Sequence, residues 1–132
     1  ADPFEQIDTL RPEVQIFTEV VTYEYDHWYN QPWVRDCYGQ KFLNEIMKTK
    51  VTCVGLIAGT TRDIVKYLHA WIAEYKIKGM CHTVGADTAI HVWITNRVLK
   101  NVRIIDSETA LIRHAPKWGA DAQKQLSLQP LA

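Results

Sequence analysis

The chain lacks any excess of charge of one sign. Its 132 residues carry 15 Lys and Arg against 15 Asp and Glu, a formal net charge of zero. Affinity for a phosphate backbone rests on surplus Lys and Arg, so a nucleic-acid partner is not expected. Nor is there an apolar run near the ~20 residues of a membrane-spanning helix. The apolar core of a secretory leader is also not among these residues, so a secretory origin would require that segment to lie outside them. The three cysteines, Cys37, Cys53 and Cys81, form no CxxC pair and the histidines are not at zinc-finger spacing, which argues against structural zinc. GxGxxG, the P-loop, GxSxG, HExxH and an Asp-x-Asp pair are all missing.

What is present is a folded domain's composition, with 47% apolar and 23% charged residues. That length supports one modest domain with a core. No repeat, low-complexity stretch or linker divides residues 1–132, which read as a single α/β unit. Its abrupt Ala1-Asp2-Pro3-Phe4 start fits either a vector-derived sequence or a fragment beginning partway through a larger domain.

The central stretch runs from Lys50 to Asp87. Val51, Cys53, Leu56, Ile57 and Ala58, closed by Gly59 and Thr60, suit a central strand. Thr60 or Thr61 can cap the following helix, with Asp63 in its first turn. Ile64, Tyr67, Leu68, Trp71 and Ile72 recur at helical spacing and predict one apolar face. Upstream, Glu5–Glu13 is a polar loop broken by Pro12. Val14–Tyr25 alternates as a strand, with Ile16, Thr18, Val20 and Thr22 on one side and Phe17, Glu19, Val21 and Tyr23 on the other. Asp26–Tyr38 reads as an aromatic loop, whose Trp28, Tyr29, Trp33 and Tyr38 are expected to pack rather than to stack on a ligand. Gln40–Lys48 is a short helix with Phe42, Leu43, Ile46 and Met47 inward. After Asp87 a helix is expected to end near Arg97. Val102–Asp106 and Ala110–His114 read as strands, Lys117–Gly119 as an exposed corner, and the tail as weakly helical to Leu126. Strands alternating with helices predict a mixed sheet with flanking helices.

Several residues can carry chemistry. Asp87 is either a helix cap or a carboxylate held at a strand–helix junction, where open α/β sheets bind ligands. His91 lies four residues on and shares its helix face, so the two can form an acid/base or binding pair. Gly55 and Gly59 permit close approach of a ligand or of another backbone, or mark a bulge. His114, at a strand end, is a surface residue or a mounted metal ligand. Lys117 can hold a phosphate and Trp118 can cover a site. Cys37 and Cys53 can close a short loop, or all three thiols stay reduced in a cytosolic protein.

These pieces resemble the C-terminal half of a GT-A glycosyltransferase that uses nucleotide-diphospho-sugar donors, in a glycogenin-like arrangement. The carriers are Asp2-Pro3-Phe4, WVRDCYG (33–39), VTCVGLIAGT (51–60) with its helix, GADTAIHVWI (85–94) and ALIRHAPKW (110–118). The likeness runs in order along nearly the whole chain. It implies metal-assisted sugar transfer from a nucleotide sugar to a glycan or protein acceptor. Asp87 would face donor sugar or acceptor, His114 would ligate manganese, and Lys117 would touch the diphosphate. A Cys37–Cys53 disulfide would suit the Golgi lumen or a secreted protein, with a cytoplasmic enzyme using Asp87 and His91 as the other possibility. The pattern departs from the family at Thr88, where an amide is usual, and at His91, where Asn is usual. The acidic metal pair and the nucleotide-binding half are not among these residues. Catalysis therefore calls for an N-terminal half as partner; the chain otherwise reads as an inactive structural or interaction module.

Overall fold

The computed structural model describes residues 13–79, 81 and 84–106. Strand β1 (Val14–Thr22) lies in the middle of a three-stranded sheet of order β2-β1-β3. It pairs antiparallel with β2 (Lys50–Ala58) and parallel with β3 (Val102–Ile105). The molecule is thus an α/β protein with a mixed sheet and flanking helices. Paired on both sides, β1 buries every residue from Val14 to Val21. This burial explains its β-branched composition, since strands covered on both faces favour such residues over an alternation with exposed polar ones.

Beyond β1, Tyr23–Tyr25 makes one 3₁₀ turn and the chain enters α1 (Asn30–Ile46). The expected aromatic loop is therefore mostly helix. Pro32 falls in the first turn, where a missing N–H costs nothing. Two buried amides anchor the start of α1: Gln31 Nε2 donates to the Tyr23 carbonyl (2.7 Å) and Asn30 Nδ2 to Asp26 Oδ2 (2.5 Å). Gly39 interrupts the helix with φ 88° and ψ 164°, a conformation that needs glycine. The kink joins the predicted Gln40–Lys48 helix to the segment before it, so that Val34, Cys37, Phe42, Leu43 and Ile46 all face inward.

Helix α2 (Thr61–Lys78) starts as expected: Thr60 Oγ1 accepts from the Asp63 N–H at 3.2 Å. Gly79 ends it, its N–H donating to the Tyr75 carbonyl. The expected apolar face is only partly used. Tyr67 is buried, whereas Leu68 and Ile72 are each 47% exposed. Helix α3 (Ala86–Trp93) is short and buries five of its eight residues, and a wider π-helical turn (Ile94–Val98) continues it. Val92 joins the core of Val20, Val21, Tyr23, Val34, Phe42, Leu43, Ile46 and Val51. Ile90 and Ile94 join a second cluster with Val14, Ile16 and Tyr67. Tyr38 of α1 stacks on Trp93, with ring centroids 4.5 Å apart and planes 6° from parallel. Phe42 meets the same indole edge-on at 4.9 Å, and the two contacts fix α3 against α1. Lys50 and Asp106 pair at 2.8 Å, linking β2 to the chain leaving β3.

The expected Ala110–His114 strand, the Lys117–Gly119 corner and the tail lie outside the described residues.

Candidate functional site

The β1–β2 ladder is irregular at two places, and a cleft opens between them. Ile16 pairs with Ile57, but Phe17 pairs with Cys53, so Val54, Gly55 and Leu56 bulge out of β2. Thr18 pairs with Thr52 and Thr22 with Lys50, which places Glu19, Val20 and Val21 in a second irregularity on β1. Bulges re-aim side chains that a regular ladder would hold in alternation. Here they frame a cavity of about 240 Å³ lined by Glu19, Asn30, Trp33, Thr52–Gly55 and, from the start of α3, Val84, Gly85, Asp87 and Thr88.

Each wall has a local cause. Gly85 caps α3, and a β-carbon there would run into the Trp33 indole, so glycine is what lets α3 begin against α1. Asp87 is not the cap but sits in the first turn. Its Oδ1 accepts from the Thr88 N–H at 2.9 Å and its side chain is exposed at the rim. Asn30 is only 1% exposed. Its Nδ2 is committed to Asp26, which fixes the amide's orientation and leaves Oδ1 as an acceptor with no hydrogen-bond partner among the described residues. Glu19, on the central strand, is also buried.

Gly55 is exposed in its bulge, and an added β-carbon would meet only Cys53 Sγ, at an ordinary 3.7 Å. No protein contact therefore demands glycine there. Gly59 is different: a β-carbon on it would stand 3.3 Å from the Glu13 carbonyl oxygen, so it admits backbone rather than ligand. It also lies away from the cleft.

His91 is also away from the cleft. It is fully buried, with Nδ1 2.6 Å from the Tyr67 hydroxyl. Burial lowers its pKa to about 4, against a smaller upward pull from Asp87. Burial likewise pushes the Tyr67 phenol well up, with Asp87 adding to it. The helical spacing of Asp87 and His91 thus couples them electrostatically without bringing both to the cavity. His91 is a neutral internal group behind the rim.

The three cysteines are not joined in the structure. Cys37 packs with Ala86, Ala89 and Cys81, whereas Cys53 pairs with Phe17 and lines the cavity. Of the two alternatives left open by the sequence, a Cys37–Cys53 bond or three reduced thiols, the structure has the thiols unjoined, with Cys81 rather than Cys53 in the cluster around Cys37. His114, Lys117 and Trp118 lie outside the described residues, so the expected manganese and diphosphate contacts do too. Among the described residues no three His, Cys, Asp or Glu side chains gather as a cation site. No helix among them is long and apolar enough to cross a membrane.

Glu19, Asn30 and Trp33 are site residues that the sequence reading misses. Glu19 does leave a signal, being an acid between Phe17 and Val21 on one face of an apolar strand. Asn30 and Trp33 are hidden when their segment is read as a loop.

Comparison with protein-family models found no match, and searches of curated proteins and of solved structures likewise found none.

Proposed function

We propose that the cleft is a sugar-binding subsite of a glycosyltransferase-like domain, one part of a site that takes a nucleotide-sugar donor and a glycan or protein acceptor. The observation that carries this reading is convergence. Gly55 and Asp87, far apart in the chain, meet at one cavity whose inner wall is polar and buried and whose side is an indole. Hydroxyl-rich rings need that combination of acceptors and an apolar face. The volume suits a single ring, being small beside the ~300–1,000 Å³ of sites for drug-sized ligands.

In this reading Asp87 accepts hydrogen bonds from sugar hydroxyls and Asn30 Oδ1 accepts another from inside. Trp33 covers one ring face, and Gly55 leaves room for the opposite edge. His91, neutral and bonded to Tyr67, keeps the helix behind Asp87 rigid. A divalent metal, held with the help of His114, would supply charge neutralisation for the departing diphosphate.

The test is calorimetry of the full natural protein with UDP-hexoses and manganese, repeated for Asp87→Asn and Gly55→Val. Saturable binding is expected, weakened about 10-fold or more in Asp87→Asn by loss of a charge-assisted hydrogen bond. Gly55→Val should abolish it while leaving the melting temperature unchanged. Absence of saturable binding, or equal binding by both variants, would overturn the reading. Binding without transfer to any acceptor would mark the inactive form of the same domain.

A further inference from the structure

Cys37 and Cys81 are brought together from separate elements. Cys37 is buried on α1, and Cys81 stands in the turn between α2 and α3. Both thiols pack in one small cluster with Ala86 and Ala89. Cys81 is the only non-glycine among the described residues with positive φ, at 50°. A left-handed side-chain-bearing residue carries backbone strain and persists only where surrounding contacts hold it. Here Cys81 packs against the cluster that contains Cys37.

We propose that Cys37 and Cys81 are a disulfide pair, and that their oxidation ties Cys81 to α1. The oxidant is a disulfide, either low-molecular-weight or carried by an oxidoreductase. Cys81 is partly exposed and is the thiol that reagents reach first. Its sulfur displaces one half of the oxidant's disulfide and forms a mixed disulfide, releasing one thiol. Cys37 then loses its proton and attacks Cys81 Sγ, breaking the mixed bond and releasing the second thiol. Two electrons and two protons pass from the cysteine pair to the oxidant, whose sulfurs leave as thiols. Burial holds the Cys37 thiol's pKa well above the ordinary thiol range, so the second step is the slower one and speeds up as pH rises.

The bond would close a loop of about 45 residues, long enough for a substantial constraint on the unfolded chain. It would also place a covalent tether three residues before Val84, which lines the cleft with Gly85. This linkage holds whatever the cleft binds.

The test equilibrates the full chain in a graded series of reduced and oxidised glutathione. Each sample is quenched with an alkylating agent under denaturing conditions, and its peptides are mapped. The expected product at the oxidising end is a peptide joining Cys37 to Cys81, with Cys53 alkylated. Thermal unfolding should then occur about 10 °C higher than in the reduced protein. A Cys53→Ala variant should form the same bridge, which keeps the result independent of folding defects in variants of the pair. A Cys37–Cys53 or Cys53–Cys81 peptide would overturn the proposal, as would three alkylated thiols or a glutathione adduct that never resolves.

Discussion

Helices α2 and α3 are consecutive in the chain and opposite in construction. Helix α2 carries every local helix signal: a Thr60 cap, Asp63 in the first turn, Lys76 and Lys78 in the last, and a glycine stop. Yet only Asp63 and Tyr67 are buried on it. Helix α3 spans eight residues and has no side-chain cap bond, but Ala86, Ala89, Ile90, His91 and Val92 are all buried. The first is a helix by its own propensities, and the second exists because the sheet and α1 close around it. Local signals report where a helix can form; they do not report which helix the core depends on. In this protein the helix with weak signals carries the cleft.

The sharpest way to break the contrast is to truncate one apolar residue on each helix. Ile90 is fully enclosed, so Ile90→Ala leaves a cavity. It should destabilise by about 3 kcal/mol, read from the denaturant midpoint. Ile72 is half-exposed on α2. Ile72→Ala should cost no more than about 0.5 kcal/mol. Equal losses would mean that α2 is as deeply involved as α3.

Acid should also act on α3 rather than α2. His91 in the folded protein titrates near 4, below its ordinary 6.5, chiefly through burial. The unfolded chain therefore takes up the proton first as pH falls. The stabilising contribution is complete above pH 6.5 and is lost progressively between 6.5 and 4, by about 3 kcal/mol in all. Denaturant midpoints measured across that window should fall with acid in the native protein. His91→Gln should remove about one proton from the slope.

A smaller effect tests α2's independence. Thr60→Ala removes the cap bond to Asp63. It should cost about 1 kcal/mol, seen as faster amide exchange in the first turn of α2, with the α3 amides unchanged.

Much of the frame is legible in the chain itself. The strands β1, β2 and β3 follow period-two and β-branched patterns, and the α2 cap follows from Thr60 and Asp63. What resists is set by tertiary contact. Asp26 to Tyr38 looks like a loop because Pro32 and four aromatic residues outweigh helical spacing, yet Pro32 falls in a first turn and Gly39 merely kinks the helix. Leu68 and Ile72 have the spacing of a core face, but the rest of the fold does not cover them fully. At the cleft, Gly55 and Asp87 can be anticipated, while Glu19 sits in a ladder irregularity that no local pattern encodes, and Asn30 and Trp33 are hidden by the loop-like composition of their segment. The i, i+4 relation of Asp87 and His91 is right as geometry, but the sheet behind α3 turns it into a rim residue and an internal one.

The place of β1 has a consequence for how the chain folds. Its antiparallel partner β2 follows after one helix, so that ladder can close early. Its parallel partner β3 arrives only after two further helices, since Val14 waits for Val102. Pairings that span so much sequence form slowly, because the intervening chain must be ordered first. During that interval the strand that ends up most enclosed is an open edge, with Ile16 and Phe17 beside unpaired amides. Association between partly folded copies is therefore expected to begin at β1, and the arrival of β3 to end it.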